Sequence, residues 1–187
     1  MKFMNDGKLS EFSDGIEIVA GEKSDFFIDK PNGVEKHDAP FAFEEIKGDF
    51  VISASVEPEF TENYDAGGIF IMENERRWIK LEFEKTDLGY PSVVSVITDG
   101  ASDDANGEKM EGVRKLFLQV LRRGDYWVAH YSLDGADWKM VRYFRLPMGE
   151  TVKAGFEAQS PIGKGAKVKF CDLYIGHKEI VNLRAGI

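Results

Sequence analysis

Cysteine occurs once in 187 residues, at Cys171, so no intramolecular disulfide can staple this chain and its stability must come from burial. Histidine is nearly as scarce. His37, His130 and His177 stand far apart, without the paired spacing of a zinc site, so neither a metal nor another cofactor is expected. No apolar run approaches the roughly 20 residues that cross a bilayer, and the start Met1-Lys2-Phe3-Met4-Asn5-Asp6-Gly7-Lys8 has no signal-peptide core. The expectation is a cytoplasmic protein with no membrane partner. Positive charge is in short supply: 24 Lys and Arg face 33 Asp and Glu, leaving a net charge of −9. Such a surface repels a phosphate backbone, which argues against nucleic acid as a partner. No glycine-rich phosphate loop sits between a strand and a helix, no nucleophile elbow is visible, and no internal repeat or linker divides the chain. Residues 1–187 therefore read as one domain, of a length that a single all-β domain reaches. Helical periodicity is absent too; Glu179–Ile187 could form one turn or a frayed tail.

What the chain has is β-branched and aromatic runs punctuated by Asp-Gly, Asn-Gly and lone Gly, as at Asn32-Gly33, Asp99-Gly100, Arg123-Gly124 and Asp134-Gly135. That pattern predicts an antiparallel sandwich or barrel rather than βαβ units. The predicted strands are Ile16–Ala20, Asp25–Ile28, Phe41–Phe43, Asp49–Val56, Gly67–Met72, Trp78–Glu84, Ser92–Thr98, Lys115–Arg122, Tyr126–Ser132, Lys139–Phe144, Val152–Gln159 and Lys167–Ile175. Between Lys115 and Arg122 both alternating sets are largely apolar, which predicts a central strand covered on both faces. In Lys169-Phe170-Cys171-Asp172-Leu173 the thiol reads as a small buried hydrophobe, slow to react.

Trp78 to Glu84 alternates cleanly. Ile79, Leu81 and Phe83 form one face; Trp78, Lys80, Glu82 and Glu84 form the other. The expectation is one dry face and one wet, charged face.

Four blocks in fixed order carry a resemblance: Asp65-Ala66-Gly67-Gly68-Ile69, Trp78-Ile79-Lys80-Leu81-Glu82, Ser92 through Asp103, and Tyr131 through Trp138, with Gln159-Ser160-Pro161 after them. Together they resemble a concanavalin A-like family of uncharacterised function related to the fungal regulation-of-enolase protein. The resemblance spans about Phe41 to Tyr174. It implies an all-β, jelly-roll sandwich of two curved antiparallel sheets, as in lectins and some glucanases, with ligands on the concave sheet, and it implies no established reaction. The family tends to place Trp after Ser-Asp, where this chain has Asp104, so a sugar platform on that loop is expected to be missing.

If the strands share a sheet, Lys80 and Glu82, about 7 Å apart along one strand, would join Glu157 and Gln159 in a charged floor. Trp78 or Trp127 would supply a stacking ring. The candidate ligand-binding residues are thus Trp78, Lys80, Glu82, Trp127, Glu157 and Gln159, for a carbohydrate or another small polar ligand. A weakly paired, solvated face is the competing reading. A protein-interaction or regulatory domain without catalysis is the second functional class, and a glycoside hydrolase the third. The run Glu82-Phe83-Glu84-Lys85-Thr86-Asp87 only loosely resembles the acidic strand motif of jelly-roll glucanases. The oxygen-rich stretch Asp99 to Glu108 fails the helical calcium-loop template and reads as a solvated loop. Oligomeric state is left open.

Overall fold

The computed structural model describes residues 1–187, which form sixteen strands and no helix. In chain order these are β1 Lys2–Met4, β2 Gly7–Phe12, β3 Gly15–Ala20, β4 Phe26–Asp29, β5 Val34–His37, β6 Phe41–Lys47, β7 Phe50–Glu59 and β8 Ala66–Asn74. There follow β9 Arg77–Lys85, β10 Pro91–Asp99, β11 Ser102–Lys109, β12 Leu116–Arg123, β13 Tyr126–Ser132, β14 Lys139–Arg145, β15 Thr151–Gln159 and β16 Lys167–Gly176. Every strand predicted from the sequence is present, its ends within four residues of the prediction. Four were not predicted: β1, β2, β5 and β11. All are short or polar, and β1, β2 and β11 lie at sheet edges, where little apolar periodicity is needed and polar side chains discourage further pairing.

Two seven-stranded antiparallel sheets make the expected sandwich. The first runs β1-β6-β15-β8-β9-β10-β11 and the second β14-β13-β12-β7-β16-β3-β2. Between them lies a core of 30 buried apolar residues, in which Ile69, Ile71, Ile79, Leu81, Phe83 and Phe156 of the first sheet pack on Ile52, Val56, Leu116, Leu118, Val120 and Phe170 of the second. Burying each such side chain contributes about 1.5 to 3 kcal/mol, and this supplies most of the drive to fold. Gly124 and Gly135 take positive φ at the two hairpins flanking β13, as the tight turns require. No helix is long and apolar enough to cross a membrane.

Strand β12 is central, between β13 and β7, and covered on both sides as predicted. Its outer cover is the C-terminal segment, which lies across the sheet without forming a strand. Ile180 packs on Val51, Leu121 and Val128, and Gln119 Nε2 donates to the Gly186 carbonyl at 2.8 Å. The expectation for Cys171 needs correcting. Val168 and Phe170 point into the core, so Cys171 alternates outward beside a bulge at Asp172, where φ is 53°, and is half-exposed. Burial still pushes its thiol somewhat above the ordinary range.

The larger correction concerns β9, which has no wet face. Every residue from Trp78 to Glu84 is buried. On the outer side of the first sheet, Phe41, Phe43, Phe70, Met72, Trp78, Val94 and Val96 form a second apolar cluster, completed by Phe26 and Ala39 from the segment that carries the β4–β5 hairpin. That hairpin lies over the sheet like a third layer and is tied to it by the Ile28 N–H, which donates to Ser102 Oγ at 3.0 Å. Alternation shows which residues share a face. It does not show what covers them.

Candidate functional site

Strand pairing assembles the charged group row by row on the outer face of the first sheet. Glu157 lies opposite Gly68, and Gly68 opposite Glu82. In the next row Gln159, Ala66 and Glu84 align, and on the other side Phe70, Lys80, Val96 and Asp104 align. Gly68 matters here because a Cβ at that position would fall 2.1 Å from the Leu81 carbonyl oxygen and 2.7 Å from Glu82 Cα. With no side chain between them, Glu82 and Glu157 face each other across bare backbone.

Lys80 is the hub. Its Nζ donates to Gln159 Oε1 at 2.5 Å and to Asp25 Oδ1 at 3.3 Å, and lies 3.2 Å from Glu82 Oε2 outside hydrogen-bond geometry. Gln159 Nε2 in turn donates to the Tyr64 carbonyl. The lysine side chain is 2% exposed and Glu82 0%, so neither is solvated. Neither carboxyl oxygen of Glu82, nor of Glu157, has a hydrogen-bond partner.

One ammonium serves too many carboxyls. Burial opposes the Lys80 charge, but Glu82, Asp25, Glu157 and Glu84 outweigh it and hold the ammonium well above its ordinary range. The carboxyls pay the difference. Burial, reinforced by the Glu82 charge, lifts Glu157 and Glu84 well above the usual value near 4.5; burial lifts Asp25, and partial desolvation at the cavity edge, with the Glu82 charge, lifts the largely exposed Asp104. Each of these carboxyls therefore keeps its proton to a higher pH than a solvated one would, and a cation placed beside it favours its charged form.

A pH test follows. A carboxyl whose folded pKa is raised binds its proton more tightly in the native state, so its contribution is full below about 4.5 and is lost as pH rises through the folded value. Native stability should therefore fall between about pH 4.5 and neutrality, by up to about 1.4 kcal/mol per pH unit for each such proton. In Glu157→Gln that fall should be shallower by one proton's share, measured by urea unfolding at a series of pH values. Parallel curves for the two proteins would show that Glu157 is ionised throughout.

Next to this cluster a cavity of about 640 Å³ opens between the β4–β5 hairpin, the β9–β11 strands and the Pro161-Ile162 turn. Lys80, Glu84, Gln159 and Asp104 reach it, together with the rings of Phe27 and Tyr64. Glu82 and Glu157 do not; they lie sealed behind. Four of the six residues singled out from sequence are thus brought together, three around the Lys80 ammonium, and two of them, Lys80 and Gln159, reach the opening.

The two tryptophans are elsewhere. Trp78 is fully buried beneath the hairpin, 5.5 Å from the Phe70 ring and 5.8 Å from Lys80 Nζ, and presents no face to the cavity. Trp127 belongs to the other sheet and fills the sandwich core against Phe50, its Nε1 donating to the Leu146 carbonyl at 2.9 Å. Neither can stack on a ligand here. The rings that can are Phe27 and Tyr64. Phe27 was legible only as the outward partner of Phe26, and Tyr64 sits in a turn with φ of 67°, a placement no local pattern announces.

The 99–108 stretch is mostly strand rather than loop: after the turn at Gly100-Ala101, edge strand β11 begins at Ser102, its Oγ 2.8 Å from Thr98 Oγ1, and delivers Asp104 to the cavity. No three His, Cys, Asp or Glu side chains converge closely enough to hold a metal ion. Of the acidic run, Glu82 and Glu84 share a face as alternation requires, and Asp87 reaches the cavity rim from the turn. The Asp65 and Ser160 blocks prove architectural: Ser160 Oγ donates to Asp65 Oδ1 at 2.6 Å, and Asp65 Oδ2 accepts from the Thr61 and Glu62 N–H groups.

Residues 3–178 match the family described as "Protein of unknown function (DUF1349)". Over 157 residues the chain is 26% identical to "Regulation of enolase protein 1" of Saccharomyces cerevisiae, spanning 84% of this chain and 79% of that protein. A crystal structure of a functionally unknown Saccharomyces cerevisiae protein superposes with a TM-score of 0.89 at 23% identity, covering 95% of this chain and 96% of that one. The carbohydrate-binding module CBM66 from Bacillus subtilis superposes with a TM-score of 0.61 at 11% identity, covering 94% and 95%. At these identities the two structures establish a shared sandwich fold.

Proposed function

We propose that this chain, which belongs to the DUF1349 family, is a binding domain for a small hydroxylated ligand of the carbohydrate class, held in the cavity on the outer face of its first sheet. The observation that carries this reading is the cavity itself: about 640 Å³, walled by Phe27 and Tyr64, with a floor of buried polar groups already locked in place by Lys80. Ligand pockets have this size and this mixture of apolar wall and few polar groups. The floor is rich in acceptors, the carboxyls of Asp25, Glu84 and Asp104, and a sugar offers a hydroxyl donor at nearly every carbon. Fold similarity to a carbohydrate-binding module supports the same class.

The test is calorimetric titration with a panel of mono- and disaccharides. At least one should bind saturably, and Phe27→Ala should weaken it about tenfold, the worth of one lost stacking ring. Absence of saturable binding by the folded protein at millimolar sugar would remove this reading in favour of a regulatory protein contact.

A further inference from the structure

We propose that the ligand of this cavity is cationic: an amino sugar whose ammonium is seated between Glu84 and Asp104 while its hydroxyls meet the remaining polar lining. This rests on the binding reading above and names the ligand class.

The argument begins at Glu84. Its carboxyl reaches the cavity, yet the residue is only 7% exposed, and no protein cation is free to meet it. Lys80 is committed to Gln159, Asp25 and Glu82. The other lysine of the lining, Lys36, turns away to the Lys23 carbonyl at 3.0 Å and to Asp38. Glu84 is thus a residue more than nine-tenths buried whose carboxyl meets the cavity and takes no hydrogen bond from the protein, which leaves its acceptors to the cavity's occupant.

The surroundings say which donor. Asp104 stands on the same cavity; burial first, then the charges of Glu82, Asp104 and Asp25, raise Glu84 against the opposing pull of Lys80. Asp87 adds another carboxyl at the rim. A neutral hydroxyl placed there leaves every one of these repulsions standing. A cation turns each into an attraction, with charge-assisted hydrogen bonds roughly twice as strong as neutral ones. A metal ion is a poor fit, since calcium takes six to eight oxygens at about 2.3–2.6 Å and no three acidic side chains converge. An ammonium needs only two or three acceptors at hydrogen-bond length, which spread carboxyls can supply. The rings of Phe27 and Tyr64 and the amide of Gln159 suit the pyranose that carries it.

The probes are glucosamine, glucose, N-acetylglucosamine and calcium chloride, titrated calorimetrically near neutral pH against wild type, Glu84→Gln and Asp104→Asn, each first checked for a cooperative melt. Glucosamine should bind at least tenfold more tightly than glucose and N-acetylglucosamine. Each variant should shrink that gap to threefold or less, because it weakens glucosamine at least threefold more than it weakens glucose; Asp104 stands on an edge strand, so its variant is informative even if Glu84→Gln fails to fold. Equal affinity for the three sugars, or a preference for the acetylated one, would overturn the amine assignment and leave the sugar site standing. Binding of none would remove both. Saturable calcium binding lost in both variants would give the acidic wall to a metal and sink the proposal.

Discussion

Lys80→Ala should cost the fold about 3 to 5 kcal/mol, the penalty of leaving a buried charge unpaired. Lys80 is the sole cation among Asp25, Glu82, Glu84 and Glu157, its side chain is 2% exposed, and it holds Asp25 and Gln159 directly. Its ammonium, held above an ordinary value of 10.5, contributes across the whole workable range below that value. Removing it leaves Asp25, Glu84 and Glu157, whose protons its charge now helps to expel, to hold them more tightly. The deficit should therefore be greatest at neutral pH and shrink toward about pH 4 as those groups are neutralised. Urea unfolding at both pH values measures this. A Lys80→Met change combined with Glu82→Gln should recover part of the loss, because it removes one of the two carboxyls paired with Lys80 and leaves Asp25 as the other. A deficit below about 1 kcal/mol at neutral pH would mean that water, not protein, surrounds these groups.

The same residues show how far sequence reasoning reaches. Period-two alternation correctly put Lys80, Glu82 and Glu84 on one face and Glu157 with Gln159 on another strand, because side-chain direction in a strand is a local property. Whether that face is wet is decided by Asp25 and Phe26, 55 residues before Lys80 in the case of Asp25, and no window on β9 contains them. Sheet membership is equally remote: Trp127 alternates as well as Trp78 does, yet it belongs to the other sheet. Strand β11 escaped notice because an edge strand with both faces toward solvent, Ser-Asp-Asp-Ala-Asn-Gly-Glu-Lys, carries none of the apolar signal by which strands are read. The family resemblance marked Asp104 as a departure. Only the pairing of β10 with β11 shows that the departure faces a cavity.

Phe70→Ala should cost about 3 to 5 kcal/mol and loosen the cavity roof before the sandwich. The Phe70 ring is fully buried at the centre of the outer cluster, stacked on Phe26 at 4.4 Å and meeting Phe41 at 4.8 Å and Trp78 at 5.5 Å. Its strand is paired on both sides, to β15 and β9, so the backbone cannot close the void and the penalty falls toward the upper end. Phe26 depends on this ring most. It anchors a two-stranded hairpin of four-residue strands, and such a hairpin is marginal alone in water. Leu81→Ala, whose side chain lies on the opposite face in the sandwich core, should cost about 2 to 5 kcal/mol but act on the whole fold. Native-state hydrogen exchange separates the two. In Phe70→Ala the β4 and β5 amides should lose protection by more than those of β8 and β9, whereas in Leu81→Ala all four strands should move together. Because Phe27 and Val34 of this hairpin line the cavity, any sugar bound by wild type should bind Phe70→Ala more weakly although Phe70 never touches it. Unchanged hairpin protection in Phe70→Ala would show that the roof is held by Asp25 and Ser102 rather than by its aromatic anchor.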